Sequence, residues 1–433
     1  MSSSRPGAAR AELSVVVLRK GKAKPFWFRH PWVFSGAIER LEGQPSDGEL
    51  VDVVDSGGRH VARGFYNGRS QIRVRLCTWD VTEAVDRAFF ERRLASAIRL
   101  RSDLGLPNEA TNAYRLVHAE GDGLPGLIVD VFGDLVAVQF SSRGLAAFEE
   151  PILDFLEDSL RPAAIVERPC RFAREHEVGP GGDADAKGEE PRLRRGELGA
   201  ADAVFRENGL EFAIDPMAGQ KTGFYLDQRE NRALLADLAR GRRAFDGHCY
   251  VGAFAVALAR LGRASAVLAV DSSKAAVEAA TDHARRNHIP VAKPGGDGHD
   301  EPSPEGIGSI TFEVSDVESR LRRAAAAGER FGLVALDPPK LAPSGSDVNR
   351  AWAKYLELNR LGIRAVEPGG FLASSSCSGR IDPESFVGIL HEAAVAEGRD
   401  LQVLHRRSQG PDHPVAISCP EGEYLKFVVC RVR

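Results

Sequence analysis

Two short runs in the second half of the chain hold side chains that could make and break covalent bonds. Ser375-Ser376-Cys377-Ser378-Gly379 sets a thiol between hydroxyls, and Asp337-Pro338-Pro339-Lys340 sets a carboxylate in a turn stiffened by two prolines. Pro338 and Pro339 have fixed φ and no N–H, and Pro338 biases Asp337 towards an extended conformation. The carboxylate is thereby held at a rim where an amino-bearing base edge could be gripped. Singly, each run is ambiguous: a lone cysteine is more often structural, and Asp-Pro-Pro is also an ordinary strand exit. Together they suit one reaction. Carbon 5 of a pyrimidine is a poor nucleophile; a thiolate adding to carbon 6 makes it enamine-like and able to take a methyl cation, and an acid at ring nitrogen 3 stabilises the adduct. Cys377 and Asp337 are therefore the expected catalytic pair. Asp337 alone would serve methylation of an exocyclic amine or of a guanine, a reading that Lys340 and Cys377 speak against.

The elements that must position these residues begin near residue 227, where strand and helix patterns alternate as in a parallel sheet covered on both faces. The expected strands are Arg243–Asp246, Ala266–Asp271, Ile310–Val314, Leu333–Asp337, Gly370–Ser375, Leu401–Arg406 and Leu425–Val429, with helices such as Ala275–His288 and Trp352–Val366 between. The last two strands have no helical pattern between them, as in an antiparallel hairpin. In such a sheet ligands sit beyond the carboxyl ends of the strands, at the switch point. The first strand runs into Asp246-Gly247-His248-Cys249-Tyr250-Val251-Gly252-Ala253-Phe254, the second ends at Asp271, and the third ends near Asp316. Asp271 could accept both hydroxyls of a ribose and Asp316 could meet an adenine amine. The glycines do not form GxGxxG, which disfavours a dinucleotide.

Ahead of this region lie two smaller patterns. Residues 13 to about 80 look all-β: Leu50–Val54, a Ser-Gly-Gly turn and His60–Phe65 read as strand, turn, strand, and Ile72, Val74 and Leu76 alternate with Arg73 and Arg75. Trp32 and Phe34 read as core of a small barrel. A helix from about Asp86 to Asp103 leads to a probable meander of Tyr114–Ala119, Leu127–Phe132 and Leu135–Phe140, then a helix near Phe148–Leu160 and a strand near Ala164–Glu167. Residues 179–190 look like a solvated loop, 290–309 like a surface insertion, and Asn208-Gly209 marks a hairpin. The expected domains are 1–82, 83–205 and 206–433.

Composition narrows the class. The 433 residues are 43% hydrophobic and 27% charged, with no apolar run long enough for a membrane span. Six cysteines without a CxxC pair argue against a disulfide framework or a structural zinc, so no metal is expected and the plain setting is a reducing cytoplasm. The net charge is −4, but residues 1–101 hold 18 Lys+Arg against 11 Asp+Glu, while the remainder holds 39 against 50. The basic end is where a phosphate backbone would land. Lys20, Lys22, Lys24, Arg73 and Arg75 are the expected RNA contacts there, joined by Lys340 beside the pocket.

The sequence resembles the RlmI-type large-subunit rRNA cytosine-C5 methyltransferases over nearly its whole length. The resemblance rests on His30-Pro31-Trp32-Val33-Phe34, Gly121-Asp122-Gly123-Leu124-Pro125-Gly126, Lys221-Thr222-Gly223-Phe224-Tyr225-Leu226-Asp227-Gln228-Arg229, Asp337-Pro338-Pro339-Lys340, Ser376-Cys377-Ser378-Gly379, Asp412-His413-Pro414, and Pro420-Glu421-Gly422 with Tyr424-Leu425-Lys426. It implies an N-terminal PUA domain, a central α+β domain that helps shape an RNA cleft, and a class I Rossmann-like methyltransferase domain with a seven-stranded mixed sheet. It further implies S-adenosyl-L-methionine as cofactor, large-subunit rRNA as partner, Cys377 as nucleophile, and Phe224, Asp227 and Gln228 at the cofactor, with Asp246, Tyr250, Gly252, Asp271 and Asp316 as the other cofactor residues. A homodimer stays open. The family usually reads Cys-Tyr-Thr-Gly-Gly-Phe where this chain has Cys249-Tyr250-Val251-Gly252-Ala253-Phe254, and Leu341 stands where a Phe normally follows Asp-Pro-Pro-Lys. Those departures leave room for a non-enzymatic RNA-binding assembly protein on the same fold.

Overall fold

A computed structural model describes residues 13–169, 190–199, 203–217, 223–293, 306–341 and 348–433. The loop 179–189, Cys170, Lys221, Thr222 and most of the 290–309 insertion lie outside them.

The N-terminal unit is a six-stranded sheet in the order Trp32–Phe34, Ile72–Thr78, His60–Tyr66, Leu50–Val54, Ser14–Leu18, Ile38–Glu42. Alternation builds it: Val16, Leu18, Val33, Val51, Val53, Val61, Val74 and Leu76 close into one core. Phe34, expected inside, is 44% exposed.

The central unit is a five-stranded sheet with helices Arg87–Asp103 and Glu149–Leu160 packed on it. Asp86 caps the first helix, accepting the Phe89 N–H at 3.0 Å. The edge strand Arg192–Gly196 was not expected, because Arg192, Arg194 and Arg195 give it no apolar alternation. Its charges are matched instead from outside: Arg194 pairs with Glu149 and Glu150, and Arg195 with Glu150 and Asp154.

Ala203–Glu207 and Leu210–Ile214 form the hairpin that Asn208-Gly209 announced, with Asn208 and Gly209 both at positive φ. A boundary at 205/206 falls inside this hairpin, so the division belongs before Ala203. Phe205 and Phe212 share a core with Phe132 of the central sheet and with Phe224, Leu235 and Phe254 of the catalytic unit.

The catalytic sheet has eight strands, in the order Val291–Ala292, Ser309–Val314, Ala266–Asp271, Arg243–Gly247, Phe331–Leu336, Val366–Ser376, Lys426–Val432, Leu401–Arg407. The eighth strand relative to expectation is the two-residue Val291–Ala292, too short to carry a pattern. All neighbours are parallel except Lys426–Val432, which runs antiparallel to both of its own. Strand order reverses on either side of Arg243–Gly247, which puts the switch point at its carboxyl end.

Candidate active site

Asp246, the fourth residue of the first strand, is enclosed, and its Oδ2 accepts the Ala255 N–H at 2.9 Å in the first turn of helix Ala253–Arg260. Its Oδ1 is buried with no hydrogen-bond partner among the described residues. Burial, with the charges of Asp337 and Asp271 adding to it, pushes its carboxyl up to about 8. The chain then turns through three left-handed residues, His248 (φ 63°), Tyr250 (φ 48°) and Gly252 (φ 77°). Two of those conformations are strained for a residue with a Cβ, and the loop is held by Cys249 N–H on Val270 O at 3.1 Å and Tyr250 N–H on Asp271 Oδ2 at 2.9 Å. At Gly252 a Cβ would also stand 2.8 Å from that of Ala280, so the glycine is needed twice over.

Asp271 is half-buried at the end of the second strand; its Oδ1 accepts the Ser273 N–H at 2.9 Å, and each oxygen keeps lone-pair capacity towards the cleft. Asp316 is exposed and caps helix Val317–Ala326 through the Ser319 N–H at 2.8 Å, and the Ser319 hydroxyl and then its N–H lower the Asp316 carboxyl. Asp271 and Asp316 both bear electrostatically on His248 of the intervening loop. An orphaned carboxylate oxygen at a helix N-terminus, a half-open carboxylate at the next strand tip and a close backbone turn between them fit an adenosyl amino acid carrying a free amino group and a ribose diol.

The other rim carries the expected thiol and acid. Asp337 follows strand Phe331–Leu336, and Cys377 follows Val366–Ser376, its parallel neighbour, with Leu336 opposite Ser374. Gln228 ties the two strands: its amide donates to Asp337 Oδ1 at 3.0 Å and to Ser375 Oγ at 3.3 Å, and its own oxygen accepts from Asn231 at 2.7 Å. Cys377 is half-buried between two enclosed serines. Tyr355 pins both, bonded to Ser376 Oγ at 3.0 Å and to Ser378 Oγ at 3.1 Å. Cys249, by contrast, is buried, and burial lifts its thiol well above the ordinary range.

Not every expected residue meets this cleft. The Phe224 ring is buried against Phe205 and Phe212, both at 5.1 Å, with the Arg232 guanidinium over its face, so these neighbours hold it in the core. Asp227 is enclosed and accepts the Tyr424 hydroxyl at 2.6 Å. Tyr250 sets its ring edge-on to Tyr225 at 5.4 Å. Lys340 is exposed past the Asp-Pro-Pro turn.

Two residues escaped sequence reasoning. Tyr355 lies in a helix with nothing to single it out. Lys426 left one signal, a lysine opening a mostly apolar strand, Lys-Phe-Val-Val-Cys-Arg-Val; lysine is almost never enclosed without a partner.

On the N-terminal unit Lys20, Lys22 and Lys24 are exposed, as are Arg29 and Arg59, beside Trp27 (39%), Phe28 (70%) and Phe34 (44%). The Arg59 guanidinium stands 4.1 Å from the centre of the Trp27 ring. Arg75 is a correction: it is buried and pairs with Glu120 of the central unit at 3.0 Å, and Trp32 donates to the same carboxylate at 2.8 Å. Arg73 is half-buried, with one guanidinium nitrogen enclosed.

A sheet of this order with acids at three successive strand tips defines a class I S-adenosylmethionine-dependent methyltransferase, and the family of that description matches residues 193–426, while a PUA-like domain matches 16–79. The chain is 37% identical over 417 residues to the ribosomal RNA large subunit methyltransferase I of Shewanella amazonensis and to that of Yersinia pestis, covering 96% of this chain and 99% of each relative. It belongs to their family. Two solved structures share the whole architecture at 18% identity and 96% coverage of this chain, 99% of each of theirs: the methyltransferase SMU.776 in complex with SAH, at a TM-score of 0.79, and a SAM-dependent methyltransferase from Streptococcus mutans, at 0.77. Its cofactor is S-adenosylmethionine.

Proposed function

We propose that this chain methylates carbon 5 of a cytosine in large-subunit rRNA, with Cys377 forming a transient covalent adduct. The observation that carries the reading is the Gln228 bridge, which fixes Asp337 against Ser375, two residues before the thiol. The names of the full-length relatives support ribosomal RNA as the substrate, which sets the reaction in the cytoplasm.

Asp246 and Asp271 hold the cofactor by its amino group and its ribose, with Tyr250 and Gly252 shaping the turn between them; Asp316 lies beyond as a cap. Bound there, the cofactor supplies an electrophilic methyl group. The Cys377 thiolate adds to carbon 6, the carbon 5–carbon 6 electron pair moves to carbon 5, and carbon 5 takes the methyl group as its bond to the sulfonium sulfur breaks, leaving a neutral thioether. Asp337 holds the base edge at nitrogen 3 and the exocyclic amine. Loss of the carbon 5 proton then drives the carbon 6–sulfur bond apart and returns the thiolate. A paired target has to be flipped out to reach this rim. Lys20, Lys22, Lys24 and Lys340 contact phosphates, and the exposed aromatics Trp27, Phe28 and Phe34 offer stacking faces to unpaired bases.

RNA carrying 5-fluorocytosine tests the chemistry, because fluorine at carbon 5 cannot leave as a proton and the adduct stalls. Wild type and Cys249→Ala should trap a covalent complex, and Cys377→Ala should lose both adduct and turnover while still binding cofactor. Near wild-type methylation by Cys377→Ala would overturn thiol addition in favour of amine methylation centred on Asp337.

A further inference from the structure

A thiol that adds to a base near neutral pH has to ionise first, and an ordinary cysteine does so only at about 8.5. Lys426 stands where it can change that. It opens strand Lys426–Val432 and lies directly opposite Ser376, one residue before Cys377, in the antiparallel register. Its side chain is enclosed, yet among the described residues no carboxylate is in ion-pair contact with it. Instead its ammonium donates to the Ser378 carbonyl at 2.7 Å and to the Tyr424 carbonyl at 2.9 Å. The first of these is the carbonyl one residue past the thiol, so the lysine holds the reactive loop from its far side. An ammonium has three protons, and these two bonds use two of them.

We propose that Lys426 is the positioning residue that activates Cys377, its buried positive charge holding the neighbouring sulfur as a thiolate while its two carbonyl bonds fix the loop. A cation within a few ångströms favours the charged form of an acid, and it does so most where water is excluded. Cys377, Asp382 and Glu423 favour the charged lysine and Lys340 opposes it; burial, the largest influence, brings its ammonium down to about 8. Tyr225 and Tyr355 also interact electrostatically with the thiol, and Tyr225 with Asp337 and Asp227 as well. Lys426 is thus the enclosed cation among groups that would otherwise resist a second negative charge. The inference rests on Cys377 as the nucleophile, but it concerns the ionisation of the thiol and can be read without any turnover.

The test is the pH dependence of carboxamidomethylation of Cys377 by iodoacetamide in the full chain, followed on the peptide that contains it. Wild type should show a midpoint below the free-thiol value of about 8.5. Lys426→Met should raise it by about one unit or more, and Lys426→Arg should keep it low. Superimposable profiles for wild type and Lys426→Met would overturn the proposal, as would a wild-type midpoint at or above the free-thiol value. S-adenosylhomocysteine binding checks that the methionine variant is folded; if it is not, the wild-type midpoint and the arginine variant decide. Methylation by Cys377→Ala would sink the carbon 5 chemistry without touching these profiles, so the two failures can be told apart.

Discussion

The amide of Gln228 donates to Asp337 Oδ1 at 3.0 Å and, from the same nitrogen, to Ser375 Oγ at 3.3 Å. One enclosed side chain therefore sets the spacing between Asp337 and the strand that ends just before Cys377. Gln228→Leu keeps the volume and removes both bonds. Misplacing a reacting group by an ångström costs about 100-fold in rate, so kcat should fall roughly 10- to 100-fold. Cofactor affinity measured by calorimetry should change little. An unchanged kcat would mean that the Asp-Pro-Pro turn holds Asp337 without help.

If Asp246 meets the amino group of the cofactor, as proposed, binding should be coupled to a proton. Burial raises its carboxyl to about 8, so at pH 7 the free protein holds it largely protonated. The positive amino group of the cofactor favours the carboxylate, and binding at pH 7 should release up to one proton, with none released well above pH 8. Calorimetry in two buffers of different ionisation enthalpy reads this directly. Asp246→Asn should abolish the release and weaken binding by about 1–3 kcal/mol. Proton uptake, or buffer-independent heats at pH 7, would place the amino group elsewhere.

Much of the catalytic sheet was legible because its strands are short apolar runs bounded by turn residues, and because Asp271 and Asp337 stand at the strand ends where such a fold puts its ligands. What escaped was set by partners far off in sequence. Arg75 reads as one of a row of exposed cations until Glu120, 45 residues later, folds against it. Phe224 sits in a polar, ligand-like loop, but the hairpin from Ala203 to Ile214 supplies aromatic neighbours that pull it inside. The strand Arg192–Gly196 has no apolar period, since its stability comes from the acids of helix Glu149–Leu160. Lys426 could be flagged as odd but not assigned, because its two acceptors are backbone carbonyls that carry no sequence signature.

The corrected cationic surface makes separable predictions for RNA. Replacing Lys20, Lys22 and Lys24 by alanine should flatten the log–log salt dependence of binding, each lost phosphate contact changing the slope by about 0.7–0.9. Trp27→Ala with Phe28→Ala should instead weaken binding by about 1–3 kcal/mol per stacked base at an unchanged slope. Arg75→Ala should leave the slope alone, since its charge is spent on Glu120. A lysine triple variant with the wild-type slope would move the phosphate track off this face.

Asp412 joins the central and catalytic units, and its removal should be felt in stability before it is felt in chemistry. Its carboxylate is fully enclosed and accepts from the Arg115 N–H at 3.0 Å, from Arg229 at 3.1 Å and from His413 at 3.1 Å, while its carbonyl accepts from Arg101 at 2.7 Å. Burial alone would raise this acid, but His413, Arg229 and the Arg115 amide outweigh it and hold the carboxyl well below the usual carboxylate range. Asp412→Ala takes the buried partner from the Arg229 guanidinium and leaves it Glu230 at 3.2 Å and the Ala113 carbonyl at 3.3 Å, so the loss should fall below the about 3–5 kcal/mol of a fully broken buried pair. A folded-state value below the unfolded one gives stability that is present above about pH 4 and lost as pH falls through the folded value. The urea midpoints of wild type and variant should therefore differ equally at pH 7 and pH 5, and the gap should narrow only below pH 4. A gap that grows on acidification, or no gap at neutral pH, would show that Asp412 is not what holds Arg229 between the two units.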